Sequence, residues 1–267
     1  MGTTRWERLA ALVVGVALLV ACASRRVAVS PVAVQVTIAD AVFEARAREG
    51  LEPSTRILSE AHRVAPDDVE VRWRLVRSFI AEGLAAEDDR ARLGSLASAR
   101  LVAVECLDGR TSFATRLDRY GWVDALATVG PDQGPCVAWG ALAWARWLVE
   151  MGGDAAAVDV PAVRALVERA RAIGGADHSV VVDWAEGLLL GAGPPEINDR
   201  ARAGALLDSV ARALPSAAQP RVDLAVLVAL PSGDDARVVG TRQALTLAPD
   251  PTPEGAEATR RFLALSP

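Results

Sequence analysis

The 267-residue sequence contains no lysine, so arginine supplies all of its basic charge. Tyr120 is the only tyrosine, and aromatic residues make up just 4% of the chain. His62 and His178 are the only histidines. Neither stands at metal-ligand spacing from a second histidine, a cysteine or a carboxylate, so no metal site is expected. The G-x-S-x-G nucleophile elbow, the H-E-x-x-H zinc helix and a phosphate-binding glycine loop are also missing. Three aspartate pairs, Asp67-Asp68, Asp88-Asp89 and Asp234-Asp235, precede helical patterns. Helix capping explains them better than acid–base chemistry. No catalytic or cofactor-binding residue is therefore assigned, and the chain reads as a non-enzyme. A net charge of −5 argues against a nucleic-acid partner. Strand-type alternation is rare while alanine and leucine dominate, which predicts an all-α protein.

The first residues read as an address and not as fold. Arg5 and Arg8 precede an apolar run from Leu9 to Val20, and small residues lead to Cys22. The run is short of the roughly 20 residues that a spanning helix needs. Leu19-Val20-Ala21-Cys22 resembles the lipobox of bacterial lipoproteins. That resemblance implies cleavage before Cys22 and acylation of the cysteine. Two or three acyl chains anchor stably, since each buried CH₂ is worth about 0.8 kcal/mol. Ala23, where many diderm lipoproteins retained at the inner membrane carry aspartate, favours the outer membrane with the folded part facing the periplasm. The expected organisation is a signal peptide over 1–21, a tether over 22–30 and one helical domain over 31–267. Cys106 and Cys136 then remain as an even pair in an oxidising compartment. They are read either as a disulfide or as two buried thiols.

Proline, glycine and capping residues punctuate the rest. Helices are expected from Ser30-Pro31 or Thr37 to Glu49, and from Pro53 to Ala65. Others are expected over Val69–Leu84, Arg90–Leu107, a shorter one within 111–129, Gly134–Gly152 and Val160–Ile173. The remainder are Val180–Leu190, Asp199–Leu214, Pro220–Leu230, Ala236–Ala248 and Glu254–Leu265. Arg72, Arg74 and Arg77 are expected on a solvated face. Ser54, Leu58, Ala61 and Pro66 carry the offsets of the second helix of a tetratricopeptide repeat. Ala203, Leu207, Val210 and Pro215 repeat all four; Ala97, Leu101 and Val104 repeat three; Ala244 and Pro249 repeat two. The fold expected is a degenerate TPR-like array of antiparallel hairpins, with about ten to twelve helices.

Gly134–Gly152 holds three of the seven tryptophans and only two charges, Arg146 and Glu150. A helix apolar almost all round is normally buried. Helical spacing puts Cys136, Gly140, Trp144, Trp147 and Met151 on one face. Trp139 falls on the stripe of Arg146 and Glu150, which are expected to pair. The helix is read as a packing hub. A narrower reading puts Trp139 and Arg146 at a ligand cavity.

The arrangement resembles the TatT family, lipoproteins associated with tripartite (TRAP) transporters. The resemblance rests on Leu19–Cys22, Ser98–Leu107, Gly134–Trp144 and Ala203–Pro215. It implies a TPR-like fold, a periplasmic substrate-binding protein as partner, self-association as a trimer, and a cavity for small or hydrophobic ligands. Trp139, Trp144 and Trp147 would lie near that cavity. The alternative is a generic TPR lipoprotein that scaffolds a pilus or secretion complex.

Overall fold

The computed structural model describes residues 30–108, 112–174 and 178–265. The chain divides into residues 1–34 and 35–267. Of the first unit only residues 30–34 are described, and they open the first helix. Among the described residues all regular structure is helical. The principal helices are α1 (Pro31–Glu44), α2 (Glu52–Val64), α3 (Val69–Ala85) and α4 (Asp89–Asp108). They continue as α5 (Phe113–Leu126), α6 (Gly134–Met151), α7 (Val160–Ile173) and α8 (Ser179–Ala192). The last are α9 (Arg200–Ala213), α10 (219–232), α11 (Asp235–Leu247) and α12 (Pro253–Leu265). None is long and apolar enough to cross a membrane.

Local chemistry accounts for most of these boundaries. Asp68 accepts hydrogen bonds from the amides of Glu70 and Val71 and so opens α3. Asp88 does the same for Arg90 and Ala91 before α4, and Asp234 for Arg237 before α11. Each fills orphan donors that a helix N-terminus leaves open. Prolines 53, 135 and 161 sit in first turns, where a missing N–H costs nothing. Gly152 ends α6 with φ +58°, a conformation that side-chain-bearing residues rarely adopt.

Three local features depart from the sequence reading. The first helix breaks at Ala45, and only a single turn, Arg46–Glu49, follows. Helix α5 is kinked at Gly121, where φ is +80°. Helix α10 contains a π-helical turn, Ala225–Ala229.

Sequence-adjacent helices pack as hairpins, α2 with α3, α3 with α4, and α8 with α9. Helix α6 packs against α3, α4, α7 and α8, so it is the hub of the core. Its seam is built from small residues, Ala138, Ala141 and Ala145, which let neighbours approach. The expected repeat positions Ser54, Leu58 and Ala61 are fully buried, as are Ala203 and Leu207. In α4 the repeat register fails. Leu101 is 62% exposed, and the buried face is Leu96, Ala99, Val102, Ala103 and Cys106. Gly83 of α3 explains the choice, because a Cβ there would already touch the Leu96 side chain at 3.0 Å.

The array is more than a linear stack, because α12 packs against α3. Ion pairs also tie α12 to α4 and α6. Arg92 of α4, 2% exposed, reaches Glu150 of α6 at 3.7 Å and Glu257 of α12 at 3.5 Å. Arg261 of α12 grips Glu150 with both terminal nitrogens at 3.2 Å. Arg72, Arg74 and Arg77 also depart from the solvated face expected of them. Arg72 donates to the Glu105 carbonyl at 2.7 Å, and Arg74 and Arg77 share Asp40 of α1. Long arginine stems carry the charge across a helix interface instead of out to water.

Candidate functional site

Five helices and one turn bring aromatic and charged side chains around a single cleft of about 510 Å³. Phe43 comes from α1, Arg46 from the turn after it, and Arg77 from α3. Trp139 comes from α6, Trp184 from α8 and Glu254 from the first turn of α12. Leu84 and Leu142 complete an apolar wall. Arg46 directly follows the break at Ala45.

An arginine–aromatic stack stiffens one side. The Arg46 and Arg77 guanidiniums lie 4.3 and 4.0 Å from the centre of the Phe43 ring. Arg74 lies 4.1 Å from the centre of Trp73. Trp73 in turn stacks on Trp139 with centroids 6.2 Å apart and planes 13° from parallel. Such contacts are worth about 0.5–1 kcal/mol each when partly wet and more when dry. Arg46 Nε donates to Glu254 at 2.6 Å, and Arg77 donates to Asp40 at 2.7 Å. Burial pulls the Arg77 pKa below the ordinary arginine value, against the opposing pull of Asp40. The Trp139 indole N–H is buried with no hydrogen-bond partner among the described residues.

A buried ion pair stands behind the cleft. Arg146 is fully buried and Asp223 is 3% exposed. Arg146 grips both carboxylate oxygens of Asp223, with Nη1 at 2.8 Å from Oδ1. The Trp184 indole donates to the same carboxylate at 2.7 Å, and Gln219 donates at 2.9 Å. The Arg146 guanidinium also lies 4.6 Å from the centre of the Trp184 ring. Four donors on one carboxylate compensate its loss of water. They also lock two side chains, Trp184 and Gln219, that line the cleft.

The residues singled out from sequence separate into three places. Trp139 lines the cleft. Arg146 does not; it lines a smaller void of about 80 Å³ with Glu150 and Asp223. Its expected partner Glu150 is taken by Arg92 and Arg261, because each charge finds a carboxylate or arginine on another helix. Trp144 and Trp147 form a separate cluster around Arg100, at 4.9 and 4.7 Å from its guanidinium. Trp122 packs edge-on to Trp144, and Asp159 holds Arg100 at 2.7 Å. Neither Trp144 nor Trp147 lines the cleft. Cys106 and Cys136 are joined as a disulfide between α4 and α6, with Cα atoms 5.7 Å apart. Cys22 lies outside the described residues. His62 is half-buried with Nε2 3.3 Å from Glu105. No group of three or more histidine, cysteine or acidic residues able to hold a metal exists among the described residues.

Sequence reasoning missed Phe43, Arg46, Arg77, Trp184, Asp223 and Glu254. One signal was available: Asp223 is the only charge between Arg221 and Asp234, in an otherwise apolar run. A lone acid in such a run must find a partner or remain costly.

Fold and site together define an all-α array of helical hairpins with an aromatic-lined cleft beside a buried ion pair. No protein-family model matches this sequence, and no curated protein aligns with it significantly. The TatT likeness therefore rests on the motifs themselves.

Proposed function

We propose that this chain is a non-enzymatic, lipid-anchored binding protein of a bacterial envelope, with its helical domain facing the periplasm. The observation that carries the reading is the cleft, whose walls are apolar and aromatic and whose arginines are already paired with carboxylates. Such a lining suits holding a small or hydrophobic ligand. The lipobox-like Leu19–Cys22 supports an acylated anchor in the outer membrane. The likeness to TatT proteins supports a role as accessory of a TRAP transporter, binding a periplasmic substrate-binding protein and self-associating as a trimer.

The test is affinity isolation of the mature protein from periplasm. A TRAP substrate-binding protein should co-purify. Recovery of a secretin or pilin instead would replace the transporter role with scaffolding of a pilus or secretion complex. The anchor is tested separately with globomycin or Cys22→Ala, either of which should leave the unprocessed precursor; normal maturation would refute lipidation.

A further inference from the structure

We infer that the cleft takes uncharged, ring-bearing molecules and turns away organic anions. The inference names the ligand chemistry of the binding reading above and rests on it.

Charge decides the first half. Two arginines line the cleft, and each is engaged by a carboxylate of the protein itself. Arg46 is held by Glu254 at 2.6 Å. Arg77 is held by Asp40 at 2.7 Å, and Arg74, which shares Asp40, is balanced by Glu70 at 2.6 Å. The lining also includes Asp250, which is 7% exposed and has no cationic partner among the described ion pairs. Its oxygens accept from the Ala218 amide at 2.9 Å and from the Thr252 amide and hydroxyl at 2.9 and 2.7 Å. An entering carboxylate or sulfonate would find no unpaired cation. It would lose water and sit among carboxylates that are already present.

Shape decides the second half. The cleft of about 510 Å³ lies within the usual range for small-molecule sites, roughly 300–1,000 Å³. Trp139 and Trp184 both line it. Both are positioned from behind, Trp139 by Trp73 and Trp184 by Asp223 and Arg146. Rigid aromatic walls favour flat ring partners over flexible chains.

Two dyes that share one aromatic body separate the possibilities. N-phenyl-naphthylamine is uncharged at neutral pH, and anilinonaphthalene sulfonate adds a single negative charge. Both are titrated by fluorescence into the chain from residue 23 onward, so that neither acyl chains nor the apolar run Leu9–Val20 compete for dye. The uncharged dye should bind about tenfold tighter than the sulfonate, or about 1.4 kcal/mol. Ala81→Phe, which fills the cleft, should weaken it several-fold, as should Trp139→Ala. Trp139→Phe keeps a ring and should retain binding, with far-UV circular dichroism checking each fold. If both dyes bind equally and both are lost in Ala81→Phe, charge selection is overturned while the binding reading stands. If neither dye binds, or Ala81→Phe changes nothing, the cleft is not a ligand site and both ideas fall.

Discussion

Replacing Asp223 with alanine tests what the buried ion pair contributes. The carboxylate accepts from both terminal nitrogens of Arg146, from the Trp184 indole and from Gln219. Arg146 has 0% exposure, so the variant leaves a guanidinium in the core whose only relief is water taken into the adjoining void of about 80 Å³. Breaking a buried pair in this way costs about 3–5 kcal/mol, whereas an exposed pair contributes about 0–1 kcal/mol. The Trp184 and Gln219 donors are orphaned as well, which argues for the upper half of that range. Chemical denaturation followed by far-UV circular dichroism should show the midpoint falling without a change in slope. Removing both charges, as Asp223→Leu with Arg146→Met, should recover most of the loss, because the desolvation penalty disappears with the pair. Asp223→Ala should also weaken dye binding, since Trp184 and Gln219 would lose their anchor. A loss below about 1 kcal/mol for Asp223→Ala would refute the reasoning, because it would mean water reaches Arg146.

Three further outcomes are expected. Cys106→Ser with Cys136→Ser opens a bridge spanning a sequence separation of 30 and should cost about 3.5 kcal/mol by loop-closure entropy, read from the denaturation midpoint. Burial raises the pKa of Glu82 despite a hydrogen bond from Thr55, so folding favours its protonated form. Its contribution is therefore fully present below the ordinary carboxylate value and is lost as pH rises through the raised one. Glu82→Gln should accordingly stabilise the protein at neutral pH, and the gain should vanish below about pH 4; a gain that grows on acidification would reverse the sign argument. Gly187→Ala would place a Cβ 2.9 Å from two carbons of the fully buried Leu207. The clash should outweigh the roughly 1 kcal/mol helix-propensity gain and destabilise by about 1–3 kcal/mol. In a Leu207→Ala background, where the clashing carbons are gone, Gly187→Ala should cost nothing further, and thermal melts of both single variants and the double variant check it.

The helices were largely legible because their ends are written in local chemistry. Asp68, Asp88 and Asp234 cap helices, Pro135 and Pro161 open them, and Gly152 closes one. The hub role of α6 followed from its having so little charge along its length. Pairing between helices was not legible, since it depends on distance in space and not on spacing in the chain. Arg146 and Glu150 stand one turn apart, yet each bonds to a residue on another helix. The same gap hid the cleft, whose six defining side chains span Phe43 to Glu254. Repeat spacing misled in α4, where contact with α3 through Gly83 set the buried face and left Leu101 outside.

The packing of α12 against α3 has a consequence for how this chain can change over generations. In a linear stack each hairpin meets only its neighbours, so copies can be gained or lost at little cost. Here the final helix is bonded to Arg46, to Arg92 and to Glu150. Inserting or deleting one hairpin would move α12 out of reach of all of them at once. A change in the number of hairpins would therefore cost these bonds, a penalty that a linear stack does not carry.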